Sequence, residues 1–518
     1  MLARGIKRRG RSGAPRLFSL LLISIFANLL LWGRAGEADA QPRIDVVNVR
    51  DFGAAGDGAT DDTSAIVKAF SETCTSGGGT IYLPPGIYII NPAAASIPIC
   101  SDLAVHGPGT LKVKPDAGNY QAIFASNPPI TALHNLTFTG ITVDQNAAGN
   151  TTAAIDVADV RTHQRVWQVL GGTNVHFENM RLYVSGVNSI VVNGPTVSGV
   201  YINRNHVVFQ KREGQPEFDN SAIYIDGDNF HVTDNTFLST PADLARTAIE
   251  VHTGSGSVAG NTIDGFRNGM NLVDLKSSSV TGNNIRNAGY GISLWSLTKM
   301  DGVTVSGNTV AIAQVTRNIP SSWGIATSYN RGIHGDFFNL QISGNIVRFE
   351  PEHSPRTVSG WVSYGIGLQT LGNVTNALIL GNEVLQAPAR GIAVGVMDAK
   401  YTTSRVSVRN NRIIDAGSNF SSGAAPYSAA ISLQGNLSSI DVLLNRLDFL
   451  SDPFIGRFSY WSFESGYRFR DVVVADNYAT AVAGSPANGL TPSVVQTYPG
   501  QGTRVSDSPG VPSQGRLH

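Results

Sequence analysis

The sequence predicts an all-β fold: a single-stranded right-handed parallel β-helix of about 12 coils, three strands per coil, with an N-terminal capping helix. Three observations predict it. A short phrase built around asparagine recurs along most of the chain, a second phrase rich in Val and Ile sits between its copies, and no convincing helical period separates them. Short strands repeating every 22 residues or more without intervening helices are the pattern of a β-solenoid.

Taken in order, the first 40 residues read as a targeting segment. Lys7, Arg8, Arg9, Arg11 and Arg16 form a basic head, 17–32 is an apolar stretch, and Ala38-Asp39-Ala40 offers a cleavage site before Gln41. The expectation is a signal peptide and a secreted or periplasmic chain with no stable membrane span after processing, because the apolar stretch is short for one. Removal takes away seven Lys and Arg and two Asp and Glu, leaving 31 against 36 and a net charge of −5. A mildly acidic chain is a poor partner for nucleic acid, which attracts basic surfaces.

The segment 49–74, VRDFGAAGDGATDDTSAIVKAFSETC, is a turn-rich stretch followed by a helix. Thr60, Asp61 or Asp62 is placed to cap it, and Ile66, Phe70 and Cys74 share one face. Such a helix would cover the open end of a stack of coils. GGGTIYLPPGIYII (77–90) then enters a strand. The two cysteines, Cys74 and Cys100, are placed either to form one staple in an oxidising compartment or to remain thiols, and without histidines at ligand spacing they are not a zinc site. Together, 49–66 and 77–90 resemble the opening module of the pectate lyase superfamily, which includes rhamnogalacturonase- and epimerase-like proteins and many phage tailspikes. The resemblance implies a secreted β-helix acting on sugars. It leaves the reaction open, because one fold hosts several chemistries. Asp57, Asp61 and Asp62 read as turn and cap residues.

Within this frame, 41–130 forms the N-terminal cap and first turns, 131–484 the main solenoid, and 485–518, rich in Gly, Pro and Ser, a disordered tail. The asparagine phrase reads VTDNTF, VAGNTI, VTGNNI, VSGNTV, ISGNIV, ILGNEV, VRNNRI and VLLNRL. Its asparagines include Asn205, Asn235, Asn261, Asn283, Asn308, Asn345, Asn382, Asn411, Asn445 and Asn477, and Ile141 and Met180 hold the equivalent place in two earlier copies. An asparagine at one corner of every coil can bond the backbone and its own neighbours above and below, so these residues are structural. The aromatic stretch 453–470 is expected to be a second cap, with a sugar contact as the alternative.

The second phrase, small–apolar–any–apolar, appears as AIYI, AIEV, GMNL, GISL, GIGL, GIAV and AISL. Its apolar residues point inward, so the flanking positions point out. Aligning coils predicts one outward column of Asp156, Val191, Tyr224, Glu250, Asn271 and Ser293, and a second of Ala158, Asn193, Asp226, His252, Val273 and Trp295. Long connections before this strand, and after it in the later coils, are expected to wall it in as the floor of a groove. Acids, a histidine and aromatics suit a polysaccharide, which offers hydroxyls and apolar ring faces.

The candidate catalytic residues are Asp226, Glu250, His252 and Asp228. Tyr224, Asn271, Trp295, Arg246 and Lys276 are candidate substrate contacts, while Lys211, Arg212 and His353 lie on flanking loops. Asp226 and Glu250 stand diagonally, with Cβ atoms roughly 8 Å apart, a separation that suits inverting hydrolysis with one acid and one base. The favoured reading is Glu250 as acid, Asp226 with Asp228 as base, and His252 tuning Asp226. The alternative is β-elimination from a uronic acid, with Tyr224, His252, Arg246 or Lys276 as base and calcium held by Asp226, Asp228 and Asp274. A non-catalytic, tailspike-like polysaccharide binder is the third. Neither the acid, GHG and RIK set of polygalacturonases nor the DPHD motif of alginate epimerases is present.

Overall fold

A computed structural model of the chain describes residues 46–126, 132–152, 154–212, 218–239, 246–313, 322–327, 334–350, 363–396, 398–417, 429–450, 458–463, 467–481 and 503–505. The expected signal peptide lies outside them, as does most of the expected tail. Among the described residues no helix is long and apolar enough to cross a membrane.

The chain winds into a right-handed parallel β-helix with three strands per turn. One series carries the small–apolar–any–apolar phrase and forms the floor, thirteen strands from Ile97–Pro98 to Phe458–Phe463. The next strand of each coil forms a flank, and the chain then turns at the asparagine into a third strand. In two coils floor and flank fuse into one strand, Asn188–Asn203 and Ser221–Thr233. The third strands make a separate parallel sheet at the back. All pairings between successive coils are parallel and keep equivalent phrases opposite one another, as in Ile223↔Ile249, Ile249↔Met270 and Met270↔Ile292. Inward residues such as Ile225, Val251 and Leu272 are wholly buried. Register matters here because a one-residue slip would send this whole aliphatic column to solvent.

The small position has a steric cause. The start of each later floor strand runs close to the neighbouring backbone and to the back sheet. A Cβ on Gly291 would stand 2.2 Å from the Gly324 carbonyl oxygen and 2.4 Å from the Val310 side chain. Glycine is therefore required at 291, whereas other coils hold alanine at the equivalent place, as at Ala222 and Ala248.

The asparagine corner is a continuous ladder. The Asn235 amide nitrogen and its Nδ2 both donate to Asn261 Oδ1, each at 3.0 Å, and Nδ2 also donates to the Ile202 carbonyl at 2.7 Å. The same pattern links Asn261 to Asn283, Asn283 to Asn308 and onward to Asn477. At its upstream end the Met180 amide donates to Asn205 Oδ1 at 3.0 Å, in the place its sequence copy predicts. Every ladder side chain is buried and fully bonded, which is why polar residues are tolerated in this column.

The capping helix spans Thr63–Thr75, burying Ile66, Ala69 and Phe70. Phe70 meets Phe124 of the second floor strand, ring centroids 5.9 Å apart. Asp62 holds the N-cap position without a side-chain cap bond, and Asp61 just before it accepts from the Thr63 amide at 3.0 Å. Asp62 holds the preceding turn through the Ala55 and Gly56 amides, and Asp57 closes a turn by accepting from the Ala59 and Thr60 amides. Those donors lower the Asp57 carboxyl to about 2. Cys74 and Cys100 are joined as a disulfide, fastening the end of the helix to the first coils.

Two expectations change at the far end. Phe458–Phe463, inside the stretch expected to be a cap, is instead a floor strand paired with Ala429–Gln434. Thr503–Val505, inside the expected tail, pairs with Val472–Val474 as a flank strand. In both, an alternation too short to stand out in sequence is completed by a neighbouring edge.

Candidate active site

The register confirms both outward columns from Val191 and Asn193 onward. Val191, Tyr224, Glu250, Asn271 and Ser293 are successive partners, and so are Asn193, Asp226, His252, Val273 and Trp295. The upstream members differ from expectation. Gln168 and Leu170, not Asp156 and Ala158, pair with Val191 and Asn193. Asp156 instead closes a turn by accepting from the Ala158 amide at 2.9 Å. The alternation around it imitates a strand, but the true strand is Arg165–Leu170.

Tyr224, Asp226, Glu250 and His252 share the outer face of the floor, each partly exposed. Glu250 is held at both oxygens. Ser221 Oγ lies 2.8 Å from Oε2, and His252 Nε2 lies 2.9 Å from Oε1. His252 therefore pairs with Glu250 and not with Asp226, because residues two apart on one strand project to the same side. Asp226 accepts from the Thr253 hydroxyl at 2.6 Å. A carboxylate only accepts, so His252 donates to Glu250 through Nε2, and Nδ1 is the ring nitrogen outside that bond. The Tyr224 ring packs on His252 with centroids 4.9 Å apart. Burial, then the charges of Asp226 and Glu250, raise the Tyr224 phenol, with Arg165 acting in the opposite sense. Tyr224 consequently keeps its proton beside the His252 ring.

The remaining candidates divide. Asn271 stays on the floor, its Nδ2 donating to Thr247 Oγ1 at 3.3 Å. Trp295 also stays there, and its buried indole N–H meets no partner among the described residues. Asp228 faces the corner, where Oδ1 accepts from the Ser255 amide at 2.7 Å and hydroxyl at 2.9 Å; these bonds lower its pKa. Asp274 is buried and accepts from the Leu297, Thr298 and Lys299 amides and two hydroxyls. Both aspartates fasten one coil to the next. Among the described residues no three His, Cys, Asp or Glu side chains gather to hold a metal ion, and Asp274 has no oxygen left for calcium. Lys276 is exposed beyond the floor, at the corner near Asp228. Arg246 forms an ion pair with Asp219 at 3.3 Å. Arg212 is not available on a loop: it is 2 % exposed and bonds Ser185 Oγ at 3.1 Å. Lys211 is half-buried. His353 and most of the expected walls lie outside the described residues.

One outward column escaped the sequence reading. It lies three residues before the Glu250 column and contains Ser221, Thr247, Asn268, Tyr290, Trp323, Tyr364 and Arg390 as successive partners. Arg165 opens the floor strand two coils upstream of Ser221. The two-residue period breaks at the small position, so a strict alternation steps over this column. Tyr290 and Trp323 pack with centroids 4.2 Å apart, and Trp323 stacks on Tyr364 at 6.2 Å. Burial raises the Tyr364 phenol well above the ordinary tyrosine range. Arg165 is half-buried, its Nη2 lies 2.9 Å from His163 Nδ1, and its Nε meets no described partner. Burial lowers the Arg165 pKa.

Buried side-chain atoms without a described partner concentrate on this sheet. Arg165, Asn193, Trp295, Tyr364 and Ser432 all carry one, and all face outward from floor strands. The ladder corner carries none.

Comparison with known proteins agrees with this architecture. Residues 46–271 match the family model described as rhamnogalacturonase A/epimerase, pectate lyase-like. Endo-xylogalacturonan hydrolase A of Aspergillus tubingensis is 27% identical over 296 residues, 54% of this chain and 63% of that protein. Mannuronan C5-epimerase AlgE6 of Azotobacter vinelandii is 37% identical over 117 residues, 21% of this chain and 13% of that protein. The chain thus spans less than two thirds of each. The tailspike protein of E. coli bacteriophage HK620, solved in complex with a pentasaccharide, superimposes with a TM-score of 0.55 at 14% identity, covering 84% of this chain and 80% of that one.

Proposed function

From the premise that this chain is a pectate-lyase-like parallel β-helix protein, with its family match over 46–271, we propose that its floor binds an acidic polysaccharide and acts on it by proton transfer next to a uronate carboxylate. The observation that carries this reading is the placement of Glu250. Ser221 Oγ and His252 Nε2 engage its two oxygens, so the Glu250 side chain is placed to orient His252.

In this reading His252 Nδ1 removes the proton next to the carboxylate. The Tyr224 hydroxyl supplies a proton to the departing glycosidic oxygen as the C–O bond breaks and a C=C bond forms. Asp226 lies beside His252 across the coil step and meets sugar hydroxyls. Arg165, whose guanidinium has no carboxylate partner among the described residues, pairs with a carboxylate of the polymer near the reacting sugar. Export of the chain, as its leader suggests, would bring it to such polymers.

Hydrolysis is the second reading. It is favoured by the long alignment with a hydrolase and by the diagonal placement of Asp226 and Glu250. Incubating the purified mature chain with polyuronates separates the two. Ultraviolet absorbance of an unsaturated uronide, or exchange of the ring proton with deuterated water, supports proton abstraction. New reducing ends without either would sink it in favour of hydrolysis, and polymer binding without any change in the polymer would favour the binder.

A further inference from the structure

We propose a second anion-binding site outside the floor, at the corner where the last coils leave it, which grips the carboxylates of an acidic polymer. A cavity of about 540 Å³ opens there, lined by Thr402, Asn436, Ser438, Arg468 and Arg470. Register builds it. Thr402 pairs with Asn436 and Ser404 with Ser438, while Ser438 pairs with Arg470, so the two arginines cap a polar strip running across three coils. Asn436 Oδ1 accepts from the Arg468 amide at 3.0 Å, and its Nδ2 donates to the Ala399 carbonyl at 2.8 Å, which fixes the cavity wall.

Both guanidinium groups belong to exposed residues, and neither meets a carboxylate among the described residues. The nearby acids are engaged otherwise. Asp398 holds the Lys400 amide, and Asp441 is clasped by Arg409 at 2.6 Å and 2.9 Å. Asp471 occupies the left-handed turn after Arg470, at φ 52°. Elsewhere on the flank and back sheets arginines commonly sit on an acid, as Arg286 does on Asp264 and Arg412 on Asp448. Two arginines without an acid partner among the described residues form a local site for planar anions. Lys400 adds a third positive charge beside Ala399 and Thr402.

The cavity lies five to seven coil steps beyond Glu250, roughly 30 Å along the axis at about 4.8 Å per coil. A polymer reaching both sites is held at two points, whereas a short oligosaccharide occupies one. This second site rests on the floor reading only for the identity of the polymer, and anion capture itself is measured without turnover.

The test is affinity electrophoresis of the mature chain through gels containing long polyuronate or a neutral glucan, with oligouronate binding measured by calorimetry. R468Q/R470Q is expected to lose about tenfold in affinity for the long polyuronate, through lost two-point attachment. Its binding of short oligouronates at the floor and its melting temperature stay unchanged. R468K/R470K keeps part of the affinity. The proposal is overturned by equal retention of R468Q/R470Q and the parent, by an equal loss in neutral glucan, or by a parent that polyuronate does not retard. If the parent transforms no polymer yet shows retention dependent on Arg468 and Arg470, the floor reading fails and this site stands.

Discussion

The asparagine corner and the floor are built from the same device, a polar residue repeated at one position of every coil, and they end in opposite states. At the corner each amide finds its partners in the next asparagine and the preceding strand. On the floor the repeated positions hold Tyr, Asp, Glu, His, Asn and Trp, which have no common geometry and pair only locally, as His252 does with Glu250. Among the described residues, buried atoms of Arg165, Trp295 and Tyr364 meet no partner. Uniform side chains make a scaffold, and non-uniform ones make a site.

Substitutions should break this comparison in opposite directions. The largest effect is expected on the floor. His252→Ala is expected to lower turnover by about 10³-fold, within the range for a general base, while moving the urea midpoint little. Glu250→Gln should reduce turnover similarly. Retention of more than a tenth of parental turnover by both would remove the Glu250–His252 pair from the chemistry.

At the corner the reverse is expected. Asn283→Leu strands the amide and Nδ2 of Asn261, both of which donate to Asn283 Oδ1. With about 1–3 kcal/mol for each buried group left unbonded, a loss of roughly 3 kcal/mol in chemical unfolding is expected, with turnover of the surviving folded fraction unchanged. A loss under about 0.5 kcal/mol would mean that the ladder is decoration.

A smaller change sharpens the floor itself. Arg165→Gln is expected to raise KM for a polyuronate about tenfold, on the scale of one charge-assisted contact, and to leave binding of the carboxyl-reduced polymer unaltered. Equal losses on both polymers would make Arg165 a packing residue.

The smallest effect concerns alkali. Burial raises the Tyr120 phenol to about 12. Above the ordinary tyrosine value near 10, the unfolded chain has lost that proton while the folded chain retains it, so stability falls as pH rises through this window. Tyr120→Phe should flatten the decline between about pH 10 and pH 12, and an unaltered slope would assign the decline to other groups. Tyr364, pushed up by burial as well, leaves part of it in place.

Periodicity carried nearly all of the scaffold, because a β-helix repeats its local instructions. Asn205 to Asn477, the small–apolar phrase and the Ile66–Phe70 helix face each declare their place without reference to distant residues. The Tyr224, Asp226, Glu250 and His252 columns were legible for the same reason, since parity alone sets which side they face. Imperfect copies were harder: Asp156 lies in a stretch that imitates a strand, and Phe458–Phe463 reads as a strand only with Ala429–Gln434 beside it.

What the sequence by itself determined was therefore the winding, the corner ladder and the face on which the candidate site lies. The tertiary structure alone decided the partners: His252 on Glu250, Arg212 buried against Ser185, Asp228 and Asp274 spent on corners, and Arg165 without an acid among the described residues. Parity is a property of one strand and can be counted along it. Hydrogen-bond partnership depends on side-chain reach across a coil step of about 4.8 Å, and that is settled only when the coils are stacked.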